Sequence, residues 1–462
     1  MTNQNKAVKK FGITDKLGYM FGDLGNDLTF VLAGLFLLKF YTDVVGVSAV
    51  LVGSMMMIVR IVDAFVDVTV GQIIDRSKPT AKGKFTPWLR RVCGPVAVSS
   101  VLIYATWLDG FSMSFKVFWM FFSYTLWSIC YSGINIPYGS MASAISAEPK
   151  ERASLSNWRT IGSTLGVTII GAVFPLFVYY ANESGKSVLS GNKLFIASIA
   201  CSVIAVFCYL ICYAMTTERV KLEQVTEKFS LTGLISGLVH NRSLIGIVVG
   251  ALFLLLTQLS LGNMGAYIYP NYFGNAAALS VSTLLGTIIT FALSPFIVKL
   301  SEAVGKKEMV VISSLFSACA LILAFILHTR NLYVWFVLYA CSYVGIAVFA
   351  LVCWAMITDV IDDTEIKTRE RSDGTIYSIY SFSRKLGQAC SAGLTGGLLS
   401  IIGYNAATAF DPEITDGIYN ITCLVPAGGF ILMALSISFL YPLNKKRVHE
   451  NAAQIKLLHE TK

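Results

Sequence analysis

The stretch LVGSMMMIVRIVDAFVDVTVGQII, residues 51–74, decides how this chain is read. It is almost wholly apolar and long enough to cross a bilayer. Yet it carries Arg60, Asp63 and Asp67, which share one face at helical spacing. A charge in hydrocarbon costs at least about 2.5 kcal/mol, so such residues turn toward a protein interior or a wet cavity and mark an ion or substrate path. Two carboxylates beside an arginine have the make-up of a cation site. The alternative is a buried ion pair that locks two helices, which accounts for one carboxylate and leaves the second needing another partner.

The composition agrees. Of 462 residues, 55% are hydrophobic and 14% charged, where soluble domains carry about 25% charged residues. The expectation is an all-α polytopic membrane protein surrounded by lipid. The first sixteen residues, MTNQNKAVKKFGITDK, lack a compact apolar core with a small-residue cleavage site, so no removable signal peptide is expected. The ten cysteines lie mostly in apolar segments without CxxC, and the four histidines form no HExxH. They read as packing residues, and neither a metal site nor a cofactor is expected. A GxxxxGK[ST] loop is missing and no Ser/His/Asp or Cys/His arrangement stands out, which argues against an ATP motor and against an enzyme.

Hydropathy predicts twelve spans, at about 17–41, 47–74, 87–108, 115–147, 155–180, 193–214, 243–270, 277–300, 309–328, 331–361, 376–403 and 419–442. Asn135-Ile136-Pro137 suggests a kink in span four. The net charge of +9 is not a nucleic-acid signature, because of where the charges fall. Of 36 Lys and Arg, 28 lie in the tails, in the loops after even-numbered spans or at the span ends that adjoin those loops, where Arg90, Arg91, Arg159 and Lys299 fall. Five lie on the opposite side: Lys39, Lys116, Lys186, Lys193 and Arg330. The bias predicts both termini in the cytoplasm and an even number of spans. A weak repeat also runs through the chain. Gly83-Lys84 after span two matches Gly305-Lys306 after span eight, and Glu151-Arg152 matches Glu370-Arg371. Duplication of a six-helix bundle explains these offsets. The expected division is 1–214, a connector over 215–242, a second bundle over 243–443 and a cytoplasmic tail over 444–462.

Other polar residues join the acidic pair as candidates. Asp23 and Asp27 lie one turn apart in span one among glycines, where carboxylates suit sugar hydroxyls. An N-terminal helix that starts later would instead leave both acids in interfacial water. Tyr131, Ser132, Asn135 and Tyr138 cluster on span four, with aromatic faces for sugar rings and an amide that donates and accepts. Span eleven carries Tyr377, Tyr380, Ser381, Arg384 and Lys385. Lys385 either meets the span-two carboxylates or snorkels to the interface. Asp75 and Arg76 after span two, and Asp359, Asp362 and Arg371 around the end of span ten, are candidates for a reversible cytoplasmic latch between halves.

Taken together, Arg60-Ile-Val-Asp63-Ala-Phe-Val-Asp67, Tyr41-Thr-Asp-Val-Val-Gly46, Asp75-Arg76 with Gly83-Lys84-Phe85, Asn135-Ile-Pro137, and Asp359-Val-Ile-Asp362 before Lys367 resemble the glycoside–pentoside–hexuronide:cation symporters. The likeness runs through nearly the whole chain. It implies the major-facilitator fold with two pseudo-symmetric six-helix bundles, alternating access, a sugar substrate, a place in the bacterial inner (plasma) membrane, and no obligate protein partner. By this resemblance Asp63 and Asp67 match the cation-site carboxylates, with Ser132 and Lys385 beside them. Asn26, Asp27, Tyr131, Asn135 and Arg159 match sugar-side positions, with Tyr377 and Ser381 facing them from span eleven. The melibiose-type pattern has Asp where this chain has Asn135 and Trp where it has Gly139, so galactoside specificity does not transfer. It also has Asn where this chain has Val66. Valine offers no oxygen to sodium, which favours a proton over Na+ as the coupling ion at Asp63 and Asp67. An uncoupled facilitator or exchanger is the nearest alternative, and a membrane sugar sensor a more distant one.

Overall fold

The computed structural model describes residues 10–220, 241–368 and 373–460. Residues 221–240 of the expected connector lie outside the described residues. The chain is helical nearly throughout. Its helices are α1 (Ile13–Lys39), α2 (Ala49–Arg76), α3 (Thr86–Leu102), α4 (Met113–Ile145), α5 (Pro149–Thr168), α6 (Phe174–Val178), α7 (Gly191–Met215), α8 (Arg242–Tyr267), α9 (Ala278–Val304), α10 (Lys306–Leu327), α11 (Leu332–Thr368), α12 (Asp373–Ile401), α13 (Pro412–Leu440) and α14 (Lys445–Glu460). Strands β1 (Tyr179–Ala181) and β2 (Ser187–Leu189) form a hairpin between α6 and α7.

Each of the twelve expected spans coincides with a helix, α5 and α6 serving as one across a π-helical turn at Ile169–Val173. Among the described residues, ten of these segments are long and apolar enough to cross a membrane. The other two are α3, with seventeen residues, and α12, which carries Arg384 and Lys385. Apolar side chains cover both faces of the helices. Phe118, Ile288, Phe291, Phe296, Ile326 and Phe439 are each at least 60% exposed. A surface of that kind is stable against lipid and not against water. Helix α4 runs unbroken through Pro137.

Contacts gather the chain into two units. The first comprises the described parts of Met1–Val47, Val62–Tyr180 and Val188–Lys228, and the second those of Ser48–Ile61, Ala181–Ser187 and Phe229–Lys462. The division therefore passes through α2, with Arg60 on one side and Asp63 on the other. In the first unit, glycines one helical turn apart on α5 let that helix lie against α1. A Cβ at Gly162 would stand 2.3 Å from the Met20 carbonyl oxygen, and one at Gly166 would stand 2.7 Å from Cβ of Asp27. The second unit is built around Ile247, Phe349, Val352, Met356, Phe430 and Met433, all buried.

The opening of the expected connector belongs to the first unit. Glu218 accepts hydrogen bonds from the backbone amides of Lys84, Phe85 and Thr86 and from the Thr86 hydroxyl. It thereby places a carboxylate on the positive end of α3. Arg219 forms an ion pair at 2.9 Å with the fully buried Asp15. The expected tail contains α14, which belongs to the second unit and is tied to α11 through Asp363. That buried carboxylate accepts from Ser243, Lys367, Arg447 and Asn451.

Candidate functional site

Two groups of polar side chains inside the first unit gather the candidates, and α4 serves both. The first group centres on Asp63. Its carboxylate is 6% exposed and its Oδ1 accepts from Ser128 Oγ at 2.7 Å and Ser132 Oγ at 2.9 Å. Ser128 and Ser132 are four residues apart, so α4 presents both hydroxyls on one face. Asp67, one turn further along α2, is half-buried, as is Arg60 one turn before Asp63.

The second group lies along α1. Asp23 is buried and its Oδ1 accepts from Arg159 Nε at 3.0 Å, while the Arg159 side chain remains 45% exposed. The guanidinium also stands 5.5 Å from the centre of the Tyr138 ring, a position that adds cation–π attraction. Tyr138 in turn stacks on Tyr19, with ring centres 4.6 Å apart, and donates to the Tyr19 carbonyl. Asp27, half-buried, accepts from Ser163 Oγ. Asn26 is 2% exposed, accepts from the Tyr209 hydroxyl at 3.0 Å and donates to Asn135 Oδ1 at 3.5 Å. Tyr131 stacks on Phe30 and Trp127.

Thus Asn26, Asp27, Tyr131, Asn135 and Arg159 come together in one unit with Asp63 and Ser132. Ser128, Ser163, Asp23 and Tyr209 complete their hydrogen bonds. Of these, only Asp23 was a sequence candidate. The signal for the serines was present: Ser128 lies four residues before Ser132, and Ser163 four after Arg159. In the second unit, Ser381 is exposed on α12 and Lys385 is half-buried, while the Tyr377 side chain lies outside the description. Asp359 takes its cation from within its own unit, Lys306 Nζ at 2.7 Å. Asp362 is half-buried, and Arg76 is exposed at the end of α2. Arg371 and the Asp75 side chain lie outside the described residues.

The arrangement offers a buried carboxylate among hydroxyls in one group, and in the other an open guanidinium with carboxylates, amides and aromatic faces. The first suits a small cation and the second a polyhydroxylated ligand with an apolar ring face. Residues 18–445 match the family described as MFS/sugar transport protein. This chain belongs to that family. It is a multi-pass transporter of the major-facilitator fold and of the glycoside–pentoside–hexuronide type. A glucuronide carrier protein homolog from Escherichia coli (strain K12) is 32% identical to it, over 95% of this chain and 94% of the relative. A symporter from Bacillus subtilis (strain 168) is 33% identical, over 99% and 98%. Among solved structures, a bacterial homolog of the lysosomal transporter Spinster, inward-facing and unoccupied, superposes with a TM-score of 0.64 at 13% identity, over 95% of this chain and 97% of that one. That last likeness concerns the fold alone.

Proposed function

We propose that this family member is a proton-coupled symporter that imports a sugar bearing a carboxylate, a hexuronide or a close relative, with both termini in the cytoplasm. The observation that carries the reading is the double service of α4. Ser128 and Ser132 reach Asp63, while Tyr131, Asn135 and Tyr138 of the same helix reach α1 and Arg159. An ion that changes the charge at Asp63 therefore acts on the helix that shapes the sugar side, which is the differential contact coupling requires.

Charge supports an anionic substrate. Arg159 is held by one carboxylate and keeps its outer donors in the open, ready for a second, planar, bidentate partner. Asn135 stands where the melibiose-type pattern has an acid, so one negative charge is missing from the sugar side. A relative described as a glucuronide carrier protein homolog points the same way.

Sodium is the second reading for the ion, and one observation favours it. Ser128 and Ser132 bring two hydroxyl oxygens to Asp63, partly making good the oxygen that Val66 does not supply. Uptake of labelled glucuronide into energised vesicles, with the proton and sodium gradients collapsed separately, tests the whole scheme. Accumulation is expected to be lost when the proton gradient alone is collapsed and to survive collapse of the sodium gradient. Uptake that equilibrates without accumulating under every gradient would leave an uncoupled facilitator.

A further inference from the structure

The second unit holds a cavity of about 280 Å³ where the hairpin tip meets the turns after α8, α10 and α12. Under the proposed orientation this is the outer face. Its lining includes Lys186, Arg330, Asn271, Tyr272, Phe410 and Thr415. Only five Lys or Arg lie in the outer segments of this chain, and two of them share this one cavity. Topology signals do not require that, since the charge rule disfavours cations here.

Both cations are positioned by aromatic rings. Lys186 Nζ stands 4.8 Å from the centre of the Phe410 ring, and the Arg330 guanidinium 4.9 Å from that of Tyr272. A ring orders a cation without neutralising it and leaves its outward N–H groups available. Arg330 also meets Asp416 through one nitrogen at 3.3 Å, an acid it shares with His328 at 3.4 Å. Among the described residues Lys186 meets the Phe410 ring rather than a carboxylate. The floor is built rather than loose: Asn271 and Thr415 are 7% and 5% exposed, and Asn271 donates to the Ala409 carbonyl.

We propose that this cavity is an outer binding site for a sugar acid, whose carboxylate is taken by Lys186 and Arg330 and whose ring lies against the Phe410 and Tyr272 faces. Its volume is near the lower end for small-molecule sites, about 300 Å³, and suits a single sugar ring. The site would collect the anion ahead of the central group around Arg159. The proposal takes its substrate class from the reading above, but it concerns different residues and is tested apart from transport.

The full chain in neutral-lipid nanodiscs is treated with a membrane-impermeant amine-acylating reagent, and modification of Lys186 and Lys193 is followed by mass spectrometry. D-Glucuronate is expected to slow acylation of Lys186 at least threefold, with Lys193 and the D-glucose control unchanged. The protection should vanish in Arg330→Gln, return in Arg330→Lys, and persist in Arg159→Gln, where the central group is disabled. Persistence there supports the outer site even if the central reading fails. Equal protection by inorganic phosphate or chloride would reduce the cavity to a nonspecific or headgroup-type anion patch and overturn the proposal. Absence of protection, or its loss in Arg159→Gln, would overturn it as well.

Discussion

In the first unit the chain leaves α1 through a π-helical turn at Phe40–Val44; in the second it leaves α8 through another at Ile268–Tyr272. The sequences are Tyr41-Thr-Asp-Val-Val-Gly46 and Tyr269-Pro-Asn-Tyr-Phe-Gly274. Both glycines have positive φ, 82° and 66°, where an L side chain is strained. The Val47 amide donates to the Tyr41 carbonyl and the Asn275 amide to the Tyr269 carbonyl, each at 2.8 Å. The glycines that precede α3 and α10 repeat the lesson, with φ of 118° at Gly83 and 109° at Gly305. The backbone has been duplicated faithfully.

The charges have not. At the first turn Asp43 pairs with Lys39 at 2.7 Å, a lysine only 2% exposed. At the second, Asn271 donates to a backbone carbonyl and no ion pair is needed. The same contrast holds deeper in the protein. Asp23, Asp27, Asp63 and Arg159 are set within the helices of the first unit. Among the described residues of the second, Asp359, Asp363 and Asp416 meet their cations near helix ends. Two similar scaffolds thus hold their described charged groups differently, within the helices in the first unit and near helix ends in the second, and under the proposed function the first carries the ion and substrate chemistry.

The comparison can be broken at several points. The largest effect is expected from Asp63→Asn, which should collapse sugar accumulation to equilibrium while leaving exchange measurable. Uphill uptake at the normal level in vesicles would take Asp63 out of coupling. Next is Asp43→Asn. Removing the carboxylate from a buried lysine costs about 3–5 kcal/mol, read as a sharp fall in thermal stability in detergent, whereas Asn271→Ala at the matching position should cost only about 1 kcal/mol. Comparable losses would mean that the two turns fasten alike. Arg159→Gln removes a charged hydrogen bond worth about 1.5–3 kcal/mol, so glucuronide affinity should fall about 10- to 100-fold. Adding Asp23→Asn should restore stability but not affinity, and recovered binding would move the carboxylate contact elsewhere. The smallest effect belongs to Asn451→Ala on α14, expected to lower stability by about 1 kcal/mol with transport unchanged. Altered uptake kinetics would give the tail more than a fastening role.

Much of this was legible in the residues. Spans of apolar residues placed every long helix, because lipid demands the same hydropathy all around a helix that packing demands on one side. Asp63 stood out because a carboxylate is costly in such a stretch. Its partners did not, since serine is ordinary in membrane helices and only the fold shows which hydroxyls turn toward an acid. The Asp23–Arg159 pair joins residues 136 apart in sequence, a separation no local pattern reports. The paired turns escaped notice because only tyrosine and glycine are kept at identical spacing, while proline and bulky aromatics fill the second copy. The tail read as polar and short, since a helix anchored mainly through one buried acid, Asp363, carries little apolar signal.

The ties made by Glu218 and Arg219 carry the first unit beyond the end of α7, as far as Val220. Anyone splitting the protein into separately expressed halves should cut beyond that residue. A break just after Met215 would strand Asp15 without its guanidinium and strip the cap from α3.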